Sequence, residues 1–342
     1  MIKDAIKLLS EREDLDQELA RAVMSEIMEG EASTVEIAAF LMTLKMKGET
    51  DLEISSAAAI MREKAVQINP KVDKLIDTCG TGGDNLHTFN VSTLVSLAVA
   101  AYGVAVAKHG NRSVSSSCGS ADLIEALGMP LLKDKNVIER GIEDVGFGYI
   151  FAPYFHPAMK FAMPVRKELG IRTIFNILGP LANPARPGYQ ILGVYDKKLI
   201  STVIKALKTL GLKGALVFCA QDGMDEISIS ADSYYSQLKD GGISNDILSI
   251  EPLKYGIKKV DLSILKVRSL EESLFKARKV IEGEDSPELD IVALNTGWAL
   301  YLLEEATDSV EGFKKAKDML MSKKVLEKLN QLKDYYKDVS TE

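Results

Sequence analysis

Residues 75–107, LIDTCGTGGDNLHTFNVSTLVSLAVAAYGVAVA, decide the fold, because a short apolar run is followed by a glycine-rich loop and a long apolar stretch. Residues 75–76 predict the end of a strand, the stretch from about Val91 predicts a buried helix, and residues 104–107 predict a second buried strand. A strand, a helix and a strand in series require a crossover connection, which favours parallel strands.

The same alternation continues along the chain until the last seventy or so residues, which return to a helical pattern. Further strands are predicted at 147–151, 190–195 and 215–219, and further helices at 121–127 and 197–210. We therefore predict that residues 71–342 form an α/β domain with a central, mostly parallel sheet flanked by helices.

The first 70 residues have a helical pattern throughout. Ser33 with Glu36, and Thr50 with Glu53, fit the S/T-x-x-E capping box and predict two helix starts. Because proline disfavours helix at the residue before it, the Asn69-Pro70 pair closes the region. We predict a small all-helical N-terminal domain over residues 1–70.

Composition limits the classes of function. The 342 residues include 42 Lys and Arg against 49 Asp and Glu, a net charge of −7, which disfavours binding to nucleic acid. The longest apolar run, residues 94–107, is interrupted and too short to span a bilayer, and no signal peptide is visible. Widely spaced Cys79, Cys118 and Cys219 are typical of free thiols in a reducing compartment, so we expect a cytoplasmic protein without membrane contact.

The glycine-rich loop, residues 77–84, is the first segment with chemistry. Its three glycines let backbone N–H groups approach an anion closely, and the following helix directs its N-terminus to the same place. Asn90, Ser92 and Thr93 add side-chain donors, so a phosphate or pyrophosphate site is predicted. The alternative is a tight strand-to-helix turn in which these polar residues serve as caps.

The segment from Lys108 to Arg112, KHGNR, with the serine run after it, also follows a predicted strand. Loops at such strand ends bind ligands in α/β proteins, and two cations and an Asn suit a charged leaving group such as pyrophosphate. Taken alone, His109 is more often a hydrogen-bonded residue lining a pocket than a catalyst of proton transfer.

Two further segments carry charge. Arg166 and Arg172 are each able to pair with a carboxylate, although a surface salt bridge is the commoner role. The adjacent carboxylates Asp225 and Glu226 follow a predicted strand and suit Mg²⁺, with a solvated loop as the alternative. A helical segment near 157–183, which contains turn pairs such as Gly179-Pro180, is predicted to pack on the helical domain as part of a hinge.

Together these motifs resemble the anthranilate phosphoribosyltransferase family, of the nucleoside-phosphorylase-like transferase group, in one order along nearly the whole chain. The matching stretches are GTGGD-x3-T-x-N-x-S-T, KHGNR, GSAD, HPAMK, RTIFNILGPL-x-NP and GMDE. The resemblance implies transfer of the phosphoribosyl group of 5-phosphoribosyl 1-pyrophosphate (PRPP) to the amine of anthranilate, in tryptophan biosynthesis. It also implies Mg²⁺ as cofactor and a homodimer formed through the helical domain.

The resemblance also assigns residues. For PRPP it implies Gly80, Gly83, Asp84, Thr88, Asn90, Val91, Ser92, Thr93, Lys108, His109, Gly110, Asn111, Arg112, Ser116 and Ser120. For anthranilate it implies Gly80, Asn111, His156, Arg166, Gly179 and Pro180. The implied metal positions are Ser92, Asp225 and Glu226, and the implied catalytic residues are Lys108, Asn111 and Arg166. The sequence departs from the family at Asn85 and His87, and at Ser117-Cys118, where a Lys-Ser pair is common.

Two rival functions belong to the same fold. A pyrimidine nucleoside phosphorylase would bind free phosphate, which needs no divalent metal, so the complete glycine loop and the Asp225-Glu226 pair disfavour it. A non-catalytic relative that binds nucleic acid should have lost the pyrophosphate motifs and gained basic surface, and the net charge of −7 disfavours it.

Overall fold

The structure is a computed structural model, and it describes residues 1–84, 86–112, 118–244 and 248–339. The chain begins with a bundle of four helices: α1 (Ile2–Ser10), α2 (Gln17–Glu29), α3 (Thr34–Lys47) and α4 (Asp51–Lys64). Both predicted capping boxes are present, because Ser33 and Thr50 each exchange hydrogen bonds with the glutamate three residues later. Gly48, with a φ of 94°, ends α3.

The larger part of the chain is built on one sheet. Its strands are β1 (Leu75–Gly80), β2 (Ala105–Gly110), β3 (Phe147–Phe151), β4 (Tyr189–Gly193), β5 (Gly214–Ala220), β6 (Ser233–Lys239), β7 (Gly242–Ile243) and β8 (Leu248–Ile250). The order across the sheet is β3-β2-β1-β4-β5-β6-β7, and β8 pairs with β6. Strands β1 to β5 pair in parallel and the pairings of β6 are antiparallel, so the predicted, mostly parallel sheet is confirmed.

Helices cover both faces of this sheet. They are α5 (Val91–Tyr102), α6 (Ser120–Ala126), α7 (Lys135–Val145), α8 (Ala152–Phe155), α9 (Met163–Leu169), α10 (Ile174–Leu181), α11 (Leu199–Thr209), α12 (Leu270–Ile281), α13 (Pro287–Leu302), α14 (Ser309–Met321) and α15 (Lys324–Val339). Short 3₁₀ turns occupy Pro157–Phe161, Pro252–Tyr255 and Leu262–Leu265. The apolar helix α5 is buried between the sheet and helices α13 and α15, as its sequence predicts.

The helical bundle is joined to the rest of the molecule through a second hydrophobic core. This core combines side chains of α1 to α4 with those of α10, α11, β4 and β5. The 3₁₀ turn at Pro157–Phe161 contacts α2, helix α9 contacts α3, and α10 contacts α4. A domain boundary at residue 70 and a hinge near 157–183 stay predictions. Among the described residues, no helix has the length and apolar character needed to cross a membrane.

The strand order places a crevice between β1 and β4. From β1 the chain moves outward to β2 and β3, and it then returns to the other side of β1 to form β4 and β5. At such a switch point the loops beyond the carboxyl ends of the strands diverge, and ligands of open α/β sheets bind there. The glycine-rich loop follows β1, the KHGNR segment ends β2, and the loop containing Asp225 and Glu226 follows β5.

Candidate active site at the carboxyl ends of the parallel strands

Two glycines paired across β1 and β4 admit the acidic loop into the crevice. Gly80 lies opposite Gly193 in the sheet register. A Cβ atom on Gly80 would lie 2.3 Å from Asp225 Oδ2, and one on Gly193 would lie 1.6 Å from the Asp225 carbonyl oxygen. The Gly82 amide donates to Asp225 Oδ2 at 2.7 Å. Gly80 was predicted and Gly193 was not, although a glycine at the end of a strand is a recognisable sign of close approach.

The other carboxylate of the pair lies at the start of α5. The Ser92 amide donates to Glu226 Oε1 at 3.0 Å, so a helix N-terminus faces an acid, as its dipole favours. Lys108 is buried at the end of β2, and its Nζ donates to the Thr78 carbonyl and to Ser92 Oγ, the latter at 3.3 Å. The structure therefore brings together Ser92, Lys108 and Glu226, three residues that the sequence places far apart.

Asp84, Asp225 and Glu226 form an acidic cluster in which burial and repulsion raise the pKa values of Asp225 and Glu226. Burial, and then the negative charge of Asp84, raise the pKa of Asp225 to about 7. Burial, and then Asp225, raise the pKa of Glu226, while Lys108 and the Ser92 amide act in the opposite direction. Asp84 Oδ2 is buried and accepts no hydrogen bond from a described residue.

A divalent cation fits this cluster, because it would relieve the repulsion and satisfy the buried oxygen of Asp84. Carboxylate and hydroxyl oxygens are ligands that Mg²⁺ prefers, and Ser92 supplies the hydroxyl. In the described parts of the chain no group of three His, Cys, Asp or Glu side chains is arranged to hold a metal ion by itself. Mg²⁺ does not require one, since it commonly uses one or two carboxylates together with substrate phosphates and water.

The glycine loop itself has the backbone conformation that its sequence requires. Gly82 and Gly83 have φ values of 65° and 76°, a region in which other residues are strained. Thr88 forms an isolated bridge with Lys266 on the outer side of the loop. At the start of α5, Val91 and Thr93 are buried, and Thr93 Oγ1 has no hydrogen-bond partner among the described residues.

Asn90 was predicted to contact PRPP, but its side chain is directed into the protein. Its Nδ2 donates to the Cys118 carbonyl at 3.1 Å, and its Oδ1 accepts from Ser273 Oγ at 2.9 Å. The amide of Asn90 is thus used to fix the start of α5 rather than to face the crevice.

The residues after β2 are held by helix α6. A Cβ on Gly110 would lie 2.2 Å from Ser120 Oγ, and this hydroxyl hydrogen-bonds Tyr149 at 2.8 Å and the Asn111 carbonyl at 3.3 Å. The guanidinium of Arg112 forms ion pairs with Asp122 and Glu125, both at 2.6 Å, so its charge is compensated within the protein. The predicted residue Ser116 lies outside the described residues.

His109 and His156 form a buried pair, with their Nε2 atoms 3.2 Å apart. Burial lowers the pKa of His156 to about 4, and burial together with the neighbouring ring lowers the pKa of His109. The His109 ring also hydrogen-bonds the Gly179 carbonyl. Both rings are therefore neutral at pH 7, which favours a pocket-lining role over proton transfer.

Arg166, on α9, is a cation without a carboxylate partner among the described residues. Its guanidinium lies 5.2 Å from the centre of the Phe175 ring and 3.7 Å from Met163 Sδ. Burial lowers the pKa of Arg166, as expected for a charge without a strong counter-ion. Arg172 differs, because it donates to the Gly83 carbonyl and lies over the Tyr195 ring at 4.3 Å.

The end of α10 is fixed by side chains from three other elements. The last carbonyls of a helix have no partner within it. Here the Gly179 carbonyl accepts from His109, the Pro180 carbonyl from Gln190 at 2.8 Å, and the Leu181 carbonyl from Arg62 at 2.7 Å. Gly179 and Pro180 are thereby held against β2, β4 and α4.

Buried hydrogen bonds of Asn183 connect the end of α10 to strands β1 and β2 of the sheet. Asn183 Nδ2 donates to Asp77 Oδ2 and to the Ala107 carbonyl, both at 2.9 Å. Burial raises the pKa of Asp77 to about 6, while the positive charge of Lys108 opposes that shift. Sequence reasoning placed Asn183 only in the RTIFNILGPL-x-NP motif and the turn chemistry of the predicted hinge, and Asp77 only in the glycine-rich loop.

A helical bundle followed by an α/β domain with a glycine-rich loop at its strand ends is the architecture of a class of transferase. The chain matches the helical bundle domain of the glycosyl transferase family over residues 3–65 and the a/b domain of that family over residues 72–325. Anthranilate phosphoribosyltransferase of Persephonella marina is 45% identical over 339 residues, which cover 98% of this chain and 99% of that protein. This chain belongs to the anthranilate phosphoribosyltransferase family, which confirms the resemblance found in its sequence.

Solved structures agree with this assignment. The crystal structure of anthranilate phosphoribosyltransferase from Thermus thermophilus has a TM-score of 0.92 and 38% identity, covering 98% of this chain and 99% of that one. The Saccharomyces cerevisiae enzyme, solved in complex with PRPP and Mg, has a TM-score of 0.89 and covers 98% of each chain. At 24% identity, the yeast structure supports the fold alone.

Proposed function

We propose that this chain transfers the phosphoribosyl group of PRPP to the amine of anthranilate, giving N-(5-phosphoribosyl)anthranilate and pyrophosphate, in tryptophan biosynthesis. The observation that carries the proposal is the convergence of the glycine loop, Lys108 and the buried pair Asp225 and Glu226 at one crevice. A pyrophosphate leaving group needs positive charge and backbone donors at such a place.

The donor side of the crevice holds the pyrophosphate. The glycine loop, whose following helix α5 directs its N-terminus to the crevice, and the ammonium of Lys108 would stabilise the charge that develops on the leaving group. Asp225, Glu226 and the hydroxyl of Ser92 would hold Mg²⁺, which neutralises pyrophosphate charge when it is bound. Since the C1–O bond breaks toward a highly charged group, this part of the site supplies most of the electrostatic stabilisation.

The acceptor side orients a nucleophile that needs little activation. The unpaired guanidinium of Arg166 binds the carboxylate of anthranilate and thereby directs the amine toward C1 of the ribose. The amine of anthranilate is neutral at pH 7, so its nitrogen forms the new bond without a strong base, and the proton it loses passes to water or to the released pyrophosphate. The two neutral histidines, His109 and His156, shape this side of the pocket.

The rival functions are weaker on the same observations. A nucleoside phosphorylase has no use for a buried pair of carboxylates beside its phosphate site, because free phosphate requires no divalent cation. A nucleic-acid-binding protein would need a basic surface, whereas this chain has a net charge of −7.

The test is to follow the fluorescence of anthranilate over time with purified protein, PRPP and Mg²⁺, and to repeat the reaction with EDTA. A decrease in fluorescence that EDTA stops, with release of one pyrophosphate for each anthranilate consumed, is the expected result. No decrease with folded protein would overturn the proposed acceptor, and an EDTA-resistant decrease would overturn the proposed metal.

The homodimer and the cytoplasmic location belong to the same proposal. Large apolar side chains remain exposed on α3, where Val35 is 76% and Met46 is 71% accessible. A second helical domain packed on this face would remove them from water. Sedimentation at twice the mass of the 37.4 kDa chain is expected, and a monomer at assay concentration would refute the dimer.

A further inference from the structure

The segment from residue 87 to residue 90, which leads from the glycine-rich loop into α5 and is here called the donor loop, packs against a segment that belongs to none of the recognised motifs. Residues 265–267 run beside residues 87–89 like a short strand. The Val267 amide donates to the His87 carbonyl at 2.7 Å, and the Phe89 amide donates to the Leu265 carbonyl at 3.1 Å. Thr88 lies in the bridge between these two segments. The loop is thus supported from a part of the chain about 180 residues further on.

The same distant segment continues into α12, whose Ser273 contacts the last residue of the loop. Ser273 has no solvent exposure, and its Oγ donates to Asn90 Oδ1 at 2.9 Å. The Cys118 thiol donates to the same oxygen at 3.1 Å, and Asn90 Nδ2 donates to the Cys118 carbonyl at 3.1 Å. The Asn90 amide is therefore the point at which the donor loop, the segment before α6 and helix α12 meet.

The position of Asn90 determines the position of the metal-side groups. Asn90 directly precedes α5, and it forms no side-chain cap with the helix N–H groups. Two residues on, Ser92 contacts both Glu226 and Lys108. Any displacement of Asn90 is consequently transmitted along one turn of helix to the groups that face pyrophosphate. Within the described part of the chain, Arg166 contacts Met163 and Phe175 and does not reach this junction, so the acceptor side is separate from it.

We propose that Ser273 is a positioning residue for PRPP: its hydroxyl holds Asn90 and so fixes the start of α5 in the geometry that binds the donor. Ser273 touches no substrate in this scheme. The inference rests on the proposed function, because it assumes that the loop binds PRPP. It adds a residue from outside the recognised motifs to the determinants of donor affinity.

The first test compares Ser273→Ala with Ser269→Ala. Ser269 caps the same helix, where its side chain accepts from the Glu272 amide, but it does not reach Asn90. Loss of one neutral hydrogen bond is expected to raise the KM for PRPP about fivefold in Ser273→Ala. The kcat and the KM for anthranilate should stay within about twofold, and Ser269→Ala should lower the melting temperature without changing the KM for PRPP.

A double-mutant cycle with Cys118→Ala separates the hydrogen bond from general packing. Because Ser273 and Cys118 donate to one partly buried oxygen, removing both takes away both of these donors, and the rise in the KM for PRPP should exceed the product of the single effects. Ser273→Cys, which keeps a donor of similar size, should lie between wild type and Ser273→Ala. It also carries the test if Ser273→Ala does not fold.

Direct binding separates this inference from the proposed function. If wild-type protein with Mg²⁺ binds no PRPP in calorimetry, the proposed function fails. If wild type binds PRPP and folded Ser273→Ala or Ser273→Cys binds it equally well, only the role of Ser273 is overturned. A KM for PRPP that rises equally in Ser269→Ala would also overturn it, since helix stability would then account for the effect.

Discussion

Replacing Gly193 by Ala is expected to displace the carboxylates of Asp225 and Glu226 from the proposed metal site, although neither residue is itself changed. The new Cβ would lie 1.6 Å from the Asp225 carbonyl oxygen, 2.4 Å from its carbonyl carbon and 3.0 Å from its Cα. All three are backbone atoms, so no side-chain rotation relieves the contact. The Asp225 backbone has to retreat until the closest pair is separated by about 3.4 Å, where ordinary contact begins.

Separating the closest pair of atoms from 1.6 Å to about 3.4 Å requires a displacement larger than a catalytic site tolerates. Misplacement by about 1 Å can cost about 100-fold in rate, so we expect Gly193→Ala to lower kcat/KM by about 100-fold or more. The assay is anthranilate fluorescence across a series of Mg²⁺ concentrations, with thermal melts of the same samples. The apparent affinity for Mg²⁺ should fall together with the rate, because Asp225 and Glu226 move as a unit.

The matched control is Gly188→Ala, just before the other end of the same strand. There the new Cβ would meet only the side chain of Lys213, at 3.6 Å, an ordinary contact. We expect Gly188→Ala to retain nearly full activity and magnesium response. Normal magnesium-stimulated turnover in folded Gly193→Ala would refute the argument that this glycine makes room for the acidic loop.

Three further changes test other parts of the site. Arg166→Ala should raise the KM for anthranilate by about 30-fold, since a charge-assisted hydrogen bond contributes about 2 kcal/mol, and leave the KM for PRPP nearly unchanged; equal effects on both substrates would contradict the assigned role. The double variant Asp225→Asn with Glu226→Gln should lose the stimulation by Mg²⁺, and titrations of activity and of metal binding that match wild type would place the metal elsewhere. His156 has a folded pKa of about 4 against an unfolded value of about 6.5, so its stabilising contribution is complete above pH 6.5 and declines as the pH falls toward 4. The free energy of unfolding should therefore drop by about 2 kcal/mol more in wild type than in His156→Gln between pH 7.5 and pH 5, and equal drops in denaturant titrations would refute the neutral buried histidine.

Local sequence patterns were sufficient to predict the elements that are apolar and buried over most of their length. Helix α5 is largely apolar and begins at Val91, as the sequence predicts, whereas strand β2 runs to Gly110, beyond its predicted end at residue 107, because it continues through the polar residues Lys108 and His109. Strand β1 extends to Gly80, beyond the predicted end at residue 76, because the polar residues Asp77 and Thr78 find partners inside the protein. Because Asp77 and Thr78 are polar, the sequence did not indicate that β1 continues through them. Polar residues rarely continue a buried strand unless distant groups form hydrogen bonds with them.

Strands β6 to β8 were not predicted at all. The sequence of β6, SYYSQLK, has no clear alternation of apolar and polar residues, and its buried positions include Ser233 and Ser236. It forms a strand because it pairs antiparallel with β5, which no local signal reveals. The mostly parallel sheet was thus predictable, whereas its antiparallel edge depended on tertiary contacts.

The residues of the candidate site also fall into two groups, those that sequence motifs predict and those that only tertiary contacts reveal. Motifs predicted Lys108, Ser92 and the acidic pair as site residues, because each belongs to a segment with recognisable chemistry, and these roles stay predictions. Gly193 and Ser273 escaped notice, since each acts on a residue that is distant in sequence: Gly193 makes room for Asp225, and Ser273 holds Asn90. A lone glycine at a strand end and a serine within a helix are common, and only the fold shows what they contact.

The charges of the described residues indicate why the two substrates suit the two halves of the crevice. On the proposed donor side, the carboxylates of Asp84, Asp225 and Glu226 are crowded, and the buried lysine Lys108 favours the charged form of Glu226, so added positive charge would complete this half. On the proposed acceptor side, Arg166 has no carboxylate partner among the described residues and contacts only Phe175 and Met163. A magnesium-bound pyrophosphate brings the cation that the first half requires, and anthranilate brings the carboxylate that the second half requires. In the proposed function, each substrate is bound by compensating a charge that the fold leaves unbalanced, and the uncharged amine and the ribose C1 are the groups that remain to react.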